Sequence, residues 1–426
     1  MASRHPARAL MAVGLALWVA FLAACAAGPN AAQGPASPAA GPTVAPRVKL
    51  TYWEEEADDG DVVLDGLAAG FMRQNPTVAV ERVHLSYEEL VDRIESGATA
   101  PDLVRCISDC TAAVALSGRF RPAADLFDRA FLARFLPGAV EAARFGATVW
   151  GIPDNYEDVL LLIYNRNLVE APAADTDAWI GQLRALTDAD ADRYGLAYNL
   201  NEPYWLIPWI GGFGGWILDE ADRPTLDTPA MVEALRFVDR LHRSERVTPL
   251  QADYDVALDY FRQGRAAYLI DGTWSLERLH EAKIPFGVTA LPRVSATGLV
   301  PTPLATARHW FFGATDDPER SAAARAFVEF MTSADAQERW LSRAQRLPSR
   351  REVAAGEAIA ADPLLRGIMA QLAGARGLPA APAMRCVWSA MRPALEATMA
   401  GQTSPEAAAR AMQKEAERCM TEMSGR

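Results

Sequence analysis

The sequence predicts an α/β protein built as two lobes, and three observations carry that expectation. Short strand-type segments are separated by helical patterns at the spacing of βαβ units, which implies mainly parallel sheets. Roughly 380 residues follow an N-terminal leader and spacer, enough for two packed bodies rather than one core. The chain then closes on a long, almost wholly helical tail that can cover sheet faces.

In chain order, Val48–Trp53 alternates as a strand, Val62–Arg73 forms an amphipathic helix, and Val78–Val83 is again a strand. Tyr87–Ser96 reads as a helix and Asp102–Ile107 as a strand. "LLLIYN" (Leu160–Asn165) is the unbroken apolar run of a buried strand. Helical patterns dominate from Asp177 to about Leu241 and again from Asp255 to Gln263, while Ala266–Trp274 and Phe286–Pro292 are further strands. No internal repeat is present.

The N-terminus reads as an export signal over residues 1–25. Arg4 and Arg8 precede an apolar run from Leu10 to Ala24 that is too short to span a bilayer comfortably. It ends in Leu22-Ala23-Ala24-Cys25, which resembles the bacterial lipobox, where the Cys25 thiol would take the lipid; ordinary cleavage beside a bystander cysteine is the alternative. Residues 26–47 form a tether. Within 26–46 there are five prolines, three glycines and no charge, a composition that builds no core and holds an extended spacer. No other stretch has the apolar length of a membrane span, so the mature chain is expected to be soluble apart from its anchor.

Removing residues 1–24 takes away two arginines and no acid, so the net charge moves from −12 to −14. An acidic chain without a basic tract excludes nucleic acid as the partner. His84, His242, His280 and His309 lack metal-ligand spacing, no Walker A or G-x-S-x-G motif occurs, and "GGFGG" at 211–215 lacks the Lys and preceding strand of a phosphate cradle. No metal or cofactor is expected. The acidic pair Glu157/Asp158 leaves a glycosidase open, although adjacency alone does not identify a two-carboxylate enzyme.

Beyond Cys25, four cysteines in an exported chain suggest two disulfides, with three possible pairings, against an alternative of four buried thiols. Met384–Ala400 and Pro405–Met423 are helical on either side of a Gly401–Ser404 break. Cys386 lies 16 residues before Gln402 and Cys419 lies 17 after it, so an antiparallel pair sets them side by side. Cys106–Cys110 follows by elimination and needs a non-helical turn.

"NLNEPYWLIPWIGGFGGW" (Asn199–Trp216) sets a carboxylate beside aromatic rings, unlike either a core or a solvated loop. A sugar ring, apolar on its faces and hydroxylated at its edge, suits both. Flat aromatics match the faces with little loss of side-chain entropy, and a carboxylate accepts hydroxyl hydrogen bonds worth about 1.5–3 kcal/mol each. Trp205 and Trp209 sit at helical spacing and read as core, as do Trp150, Trp179 and Trp340, while Trp216 stays undecided and Trp310 suits cleft or core equally.

From about Val48 to Met420 the chain resembles the extracellular solute-binding proteins of sugar ABC transporters, and within them the maltose/maltodextrin-binding proteins. The opening strand with Trp53, "PDLV" (Pro101–Val104), "IYNRNLV" (Ile163–Val169), "FRQGRAAYLIDGTW" (Phe261–Trp274), "AFVEFMTSADAQERW" (Ala326–Trp340) and "LPSR" (Leu347–Arg350) carry the general likeness. "NLNEPYWLIPWI" is similar to the maltose-type segment in which a Glu holds hydroxyls and a Tyr stacks on a glucose ring, roles that fall on Glu202 and Tyr204. "LPAAPAMRCVWSAMR" (Leu378–Arg392) resembles the segment supplying another stacking Trp and a supporting Arg, here Trp388 and Arg392, and Trp274 of "DGTW" matches a third stacking ring. The chain departs from the pattern after the "PD" strand: Asp109 is kept, but Cys106 and Cys110 stand where an aromatic and an Arg would be. Among Glu54, Glu55, Glu56, Asp58 and Asp59, the resemblance implies one hydroxyl acceptor without fixing which, Glu55 standing as the candidate, and Asp158 and Trp310 complete the candidate ligand set.

The resemblance implies a two-lobed periplasmic-binding-protein-like fold with a hinge and a ligand cleft between lobes. The N-terminal lobe takes residues 48–155 and 296–345 and the C-terminal lobe 156–295 and 346–426. It implies a lipid-anchored, monomeric, non-enzymatic receptor that faces the periplasm or cell exterior, binds a maltodextrin-type oligosaccharide and delivers it to permease subunits. A receptor of this fold for another solute, a secreted glycosidase and a sensor-coupled receptor remain alternatives.

Overall fold

The computed structural model describes residues 46–56, 59–97, 99–251 and 253–424. The export signal, Cys25, most of the tether and Asp58 lie outside them.

Two sheets organise the chain. The strands of the first half are β1 (Val48–Glu54), β2 (Val78–His84), β3 (Leu103–Ile107), β4 (Phe120–Arg121), the short hairpin β5 (Arg144–Phe145) and β6 (Thr148–Val149), and β7 (Gly151–Glu157). Then follow β8 (Leu160–Asn165), β9 (Tyr194–Tyr198), β10 (Ala266–Gly272), β11 (Phe286–Thr289), β12 (Leu304–Gly313) and β13 (Arg376–Gly377). The seven-stranded sheet runs β13-β12-β3-β1-β2, with β4 and β7 also on β12; the four-stranded sheet runs β11-β8-β10-β9. The chain therefore passes from one sheet to the other between Glu157 and Leu160 and returns between Thr289 and Leu304.

Both sheets are mixed, which corrects the expectation of mainly parallel pairing. β1 lies parallel to β2 and β3, but β12 runs antiparallel to β3 and β7, and β8 antiparallel to β10 and β11. The reason is connectivity: β12 and β8 are reached by crossing between sheets rather than through a local βαβ unit. Among the described residues, seven strands also lie where no strand was read from the sequence: β4, β5, β6 and β7, β9 inside the helical stretch, β12 on the return and β13 in the helical tail.

Tyr52, Phe71, Trp310, Phe312, Phe327 and Trp340 fill the core on one face of the larger sheet. Trp179, Trp205, Trp209 and Tyr268 fill that of the smaller. A further apolar cluster spans the junction, joining Tyr156 and Ala305 to Leu161, Ile163 and Phe261.

The tail is a helical hairpin, Ala383–Met399 and Pro405–Ser424, turned at Gly401, whose φ of +70° an L side chain would adopt only with strain. The structure joins Cys386 to Cys419 across it, with Cα atoms 5.5 Å apart. It joins Cys106, in β3, to Cys110 across a turn, with Cα atoms 6.2 Å apart. Replacing Cys386 and Cys419 together by Ser is expected to cost about 3–4 kcal/mol, because an unfolded loop of that length is freed. Thermal unfolding of parent and variant in the presence and absence of reductant checks this; equal melting temperatures throughout would show that the link contributes nothing.

Candidate ligand site

The helix Pro203–Gly212 builds one wall. Glu202 caps it, its carboxylate accepting from the Tyr204 amide, and Pro203 supplies the preset φ of a first helical residue. Its inner face anchors it: the Trp209 indole donates to the Tyr198 hydroxyl at 2.9 Å and the Trp205 indole to the Ile270 carbonyl at 2.8 Å. Those bonds make Trp205 and Trp209 structural, as expected, and leave Glu202 and Tyr204 at the opening.

Tyr204 reaches the junction of the two sheets. Its hydroxyl lies 2.9 Å from the Asp158 carbonyl and 3.0 Å from the Leu304 carbonyl and can donate to either, and burial pushes the phenol well above its usual range. Asp158 takes a left-handed conformation (φ +58°) between β7 and β8, and its carboxylate accepts from the Thr306 hydroxyl at 2.7 Å. The Trp274 ring stands edge-on to Tyr204, centroids 6.1 Å apart, and remains 39 % exposed. Asp158, Asn199, Glu202, Tyr204, Trp274 and Thr306 share a hollow of about 600 Å³ with Trp205 and Tyr254.

A second hollow of about 780 Å³ adjoins it, with Ser108 and Asp109 on one side and Leu378, Trp388 and Arg392 on the other. Trp388 and Arg392 fall four residues apart on one helix and so share a face. Arg392 pairs with Glu202 at 2.6 Å, which ties the two hollows together. Asp109 stands in the turn between Cys106 and Cys110. Its carboxylate makes no capping bond to the following helix, while the Ser108 amide fixes the turn by donating to the Ala307 carbonyl at 2.8 Å. Although open to solvent, Asp109 is walled by the hollow; desolvation, and then the Asp158 carboxylate, push its pKa up.

Seven of the expected ligand residues thus converge: Asp109, Asp158, Glu202, Tyr204, Trp274, Trp388 and Arg392. Glu55 lines neither hollow and is held by Arg308. Its neighbours Glu54 and Glu56 are fully buried. Against the desolvation cost of burial, the guanidiniums of Arg105, Arg308 and Arg346 hold the Glu56 carboxyl down to about 2. Arg105, itself buried, bonds Glu56 at 2.8 Å and Asp154 at 2.5 Å. Trp310 is corrected outright. It is fully buried against Tyr52 and Phe327, on the core face of the larger sheet. Trp216 is covered by Arg376, whose guanidinium carbon lies 4.0 Å from the ring centroid. Sequence reasoning missed Ser108, Asn199, Tyr254 and Thr306. Only Asn199 carried a signal, since it opens the segment that holds Glu202.

The family profile of the bacterial extracellular solute-binding proteins matches residues 66–367. The chain belongs to that family. Among curated relatives of this solute-binding protein, a maltotriose-binding protein of Pyrococcus abyssi is 26 % identical over 358 residues, covering 82 % of this chain and 77 % of its own. A galactooligosaccharide-binding protein of Bacillus subtilis is 21 % identical, with 89 % and 91 % covered. The maltose/maltodextrin-binding domain MalE from Bdellovibrio bacteriovorus, solved bound to maltotriose, is 27 % identical with a TM-score of 0.64, covering 88 % of this chain and all of its own. A cyclo/maltodextrin-binding protein complexed with maltotetraose superposes with a TM-score of 0.78 at 23 % identity, over 88 % of this chain and 97 % of its own, and supports the fold. The two-lobed α/β architecture of the solute-binding protein is that of these binding proteins. No helix among the described residues is long and apolar enough to cross a membrane.

Proposed function

We propose that this solute-binding protein takes up an oligosaccharide of the maltodextrin type in the paired hollows and hands it to the permease of an ABC importer, without catalysis. The observation that carries the reading is the meeting of Tyr204 and Trp274, two rings 61° apart on a common hollow, with the Glu202–Arg392 ion pair beside them. Rings for sugar faces and charged groups for sugar edges is the residue grammar a maltooligosaccharide calls for. The Pyrococcus relative named for maltotriose and the Bdellovibrio domain bound to it support the same ligand class.

The two lobes comprise residues 48–155 with 296–345, and 156–295 with 346–426. Ligand held by Asp109 on one lobe and by Glu202, Tyr204, Trp274, Trp388 and Arg392 on the other would favour a closed arrangement, because only closure lets both lobes touch it. Lipidation of Cys25 and the tether would hold the receptor at the membrane outside the cytoplasm and raise its effective concentration at the permease. A second reading keeps the fold and the transport role but changes the sugar. Asp109 beside a disulfide, with no aromatic of that lobe lining the hollows among the described residues, favours it, as does the galactooligosaccharide-binding relative.

Calorimetric titration of the purified chain with maltotriose, cellotriose and xylotriose is the test, with chromatography of the mixture afterwards. Saturable binding of maltotriose with no shortened product is expected. Preference for a β-linked sugar would move the reading to the second one, hydrolysis would overturn the receptor role, and no binding at all would remove the sugar.

A further inference from the structure

We propose that Asp271 is a positioning residue for the ligand site: with Gly272 it forms the seat on which the Trp274 ring is set, and it makes ligand binding sensitive to pH. The inference rests on the reading that Trp274 faces the oligosaccharide.

Asp271 stands at the end of β10, opposite Leu161 of β8, and is 1 % exposed. One oxygen, Oδ1, accepts from the Gly272 amide at 2.7 Å, whereas Oδ2 has no hydrogen-bond partner. A buried carboxylate with half its acceptor capacity unmet is costly in its charged form. Directly beyond it the Trp274 ring folds back onto Gly272: a Cβ at that position would come within 2.2 Å of the ring carbons Cη2 and Cζ3. The Ser275 hydroxyl closes the turn by donating to the Gly272 carbonyl at 2.8 Å. The ring that reads the ligand therefore rests on a backbone segment whose inner side is an incompletely satisfied acid.

Burial pushes the Asp271 carboxyl up to about 7, while the Gly272 amide, Ser275, Arg278 and Trp274 draw it the other way. The charged and titratable groups around it are Arg278, on the helix Leu276–Glu281, and Tyr254, on the helix Tyr254–Arg262, with Asp158 and Glu202 in the hollow beyond. Below neutrality the seat is uncharged and the ring keeps its place. Above it, the anion draws either water or the indole N–H toward Oδ2, and the ring moves off the plane that a sugar face would meet. Affinity for sugar therefore falls as pH rises through about 7.

Two measurements on the full chain test this. Tryptophan emission of ligand-free protein is followed from about pH 5.5 to 8.5 for the parent, Asp271→Asn and Trp274→Phe. A transition near neutrality in the parent, absent from both variants, is expected; a transition that persists in Asp271→Asn would overturn the proposal. Maltotriose titrations at the two ends of that range are expected to show about fivefold weaker binding at the alkaline end for the parent and no change for Asp271→Asn. Equal pH profiles for the two proteins would also overturn it. Emission that titrates as expected in a chain that binds none of the sugars would uphold the seat and remove the oligosaccharide. Binding without any transition would do the reverse. Gly272→Ala gives an independent check: its Cβ displaces the ring, so sugar affinity should drop at least about tenfold at an unchanged melting temperature. Parental affinity in that variant would sink the proposal.

Discussion

Trp274→Ala should weaken sugar binding by about thirtyfold or more while leaving the melting temperature nearly unchanged. The two effects separate because the ring is 39 % exposed, rests on the Gly272 backbone and meets the rings of Tyr204 and Trp205 edge-on at centroid distances of 6.1 Å. Little core is lost when it goes. An aromatic anchor at a ligand surface, by contrast, typically contributes about 2 kcal/mol or more to binding, which is about thirtyfold. Calorimetric titration with maltotriose, paired with thermal unfolding, checks both halves. A variant that binds like its parent would take the ring out of the site, and one that melts well below its parent would make the ring structural.

Arg105→Met should be the most damaging single change to the fold, at about 3–5 kcal/mol. The guanidinium is fully buried, bonds Glu56 and Asp154, and lies over the Trp340 ring at 4.6 Å. Methionine fills much of the volume but leaves two buried carboxylates short of their main cation. The same network sets an acid limb. Glu56 is held at about 2 in the folded chain against an ordinary 4.5. Its contribution is therefore fully present above about pH 4.5 and is lost as pH falls through about 2, and amounts to about 3 kcal/mol. Urea unfolding across that window should show parental stability falling steeply with acid and a shallower fall in Arg105→Met, where only Arg308 and Arg346 still hold the carboxyl down. Parallel slopes would mean that Arg105 is not what keeps Glu56 ionised.

What the sequence made legible was local. Glu202, Pro203 and Tyr204 announce a capped helix with a polar and an aromatic group at its mouth, and the structure keeps them there because the cap, the proline and the two inner tryptophans act within a few residues. Cys386 and Cys419 could be paired by counting, since a hairpin of straight helices converts residue number into distance. Long-range pairing was not legible. β12 opens with small and polar residues, lies antiparallel to β3 and β7, and faces a β7 that skips Asp154 opposite Arg308/His309, none of which a periodicity can express. Trp310, which suited cleft or core equally in the sequence, could not be placed for that reason, and Thr306, on the same strand, went unseen. β9 was hidden by its brevity, five residues among helices, and its one strand partner is β10 among the described residues. Glu55 failed differently. Its acidic run was read as free acceptors, but arginines from β2, β3 and β12 and from position 346 had already engaged three members of it.

Tyr204 offers its ring to the hollow while its hydroxyl stands within donating reach of two carbonyls, one beside each strand that leaves the junction. Anyone converting this receptor into a sensor for a different analyte would meet that coupling at once. Exchanging the tyrosine to change what is recognised also unfastens the strands whose movement must report recognition, so selectivity and signal cannot be engineered independently at this position. On the proposed reading of the site, Trp388 and Arg392, carried on a cross-linked hairpin away from the crossings, would be the places to alter selectivity without silencing the readout.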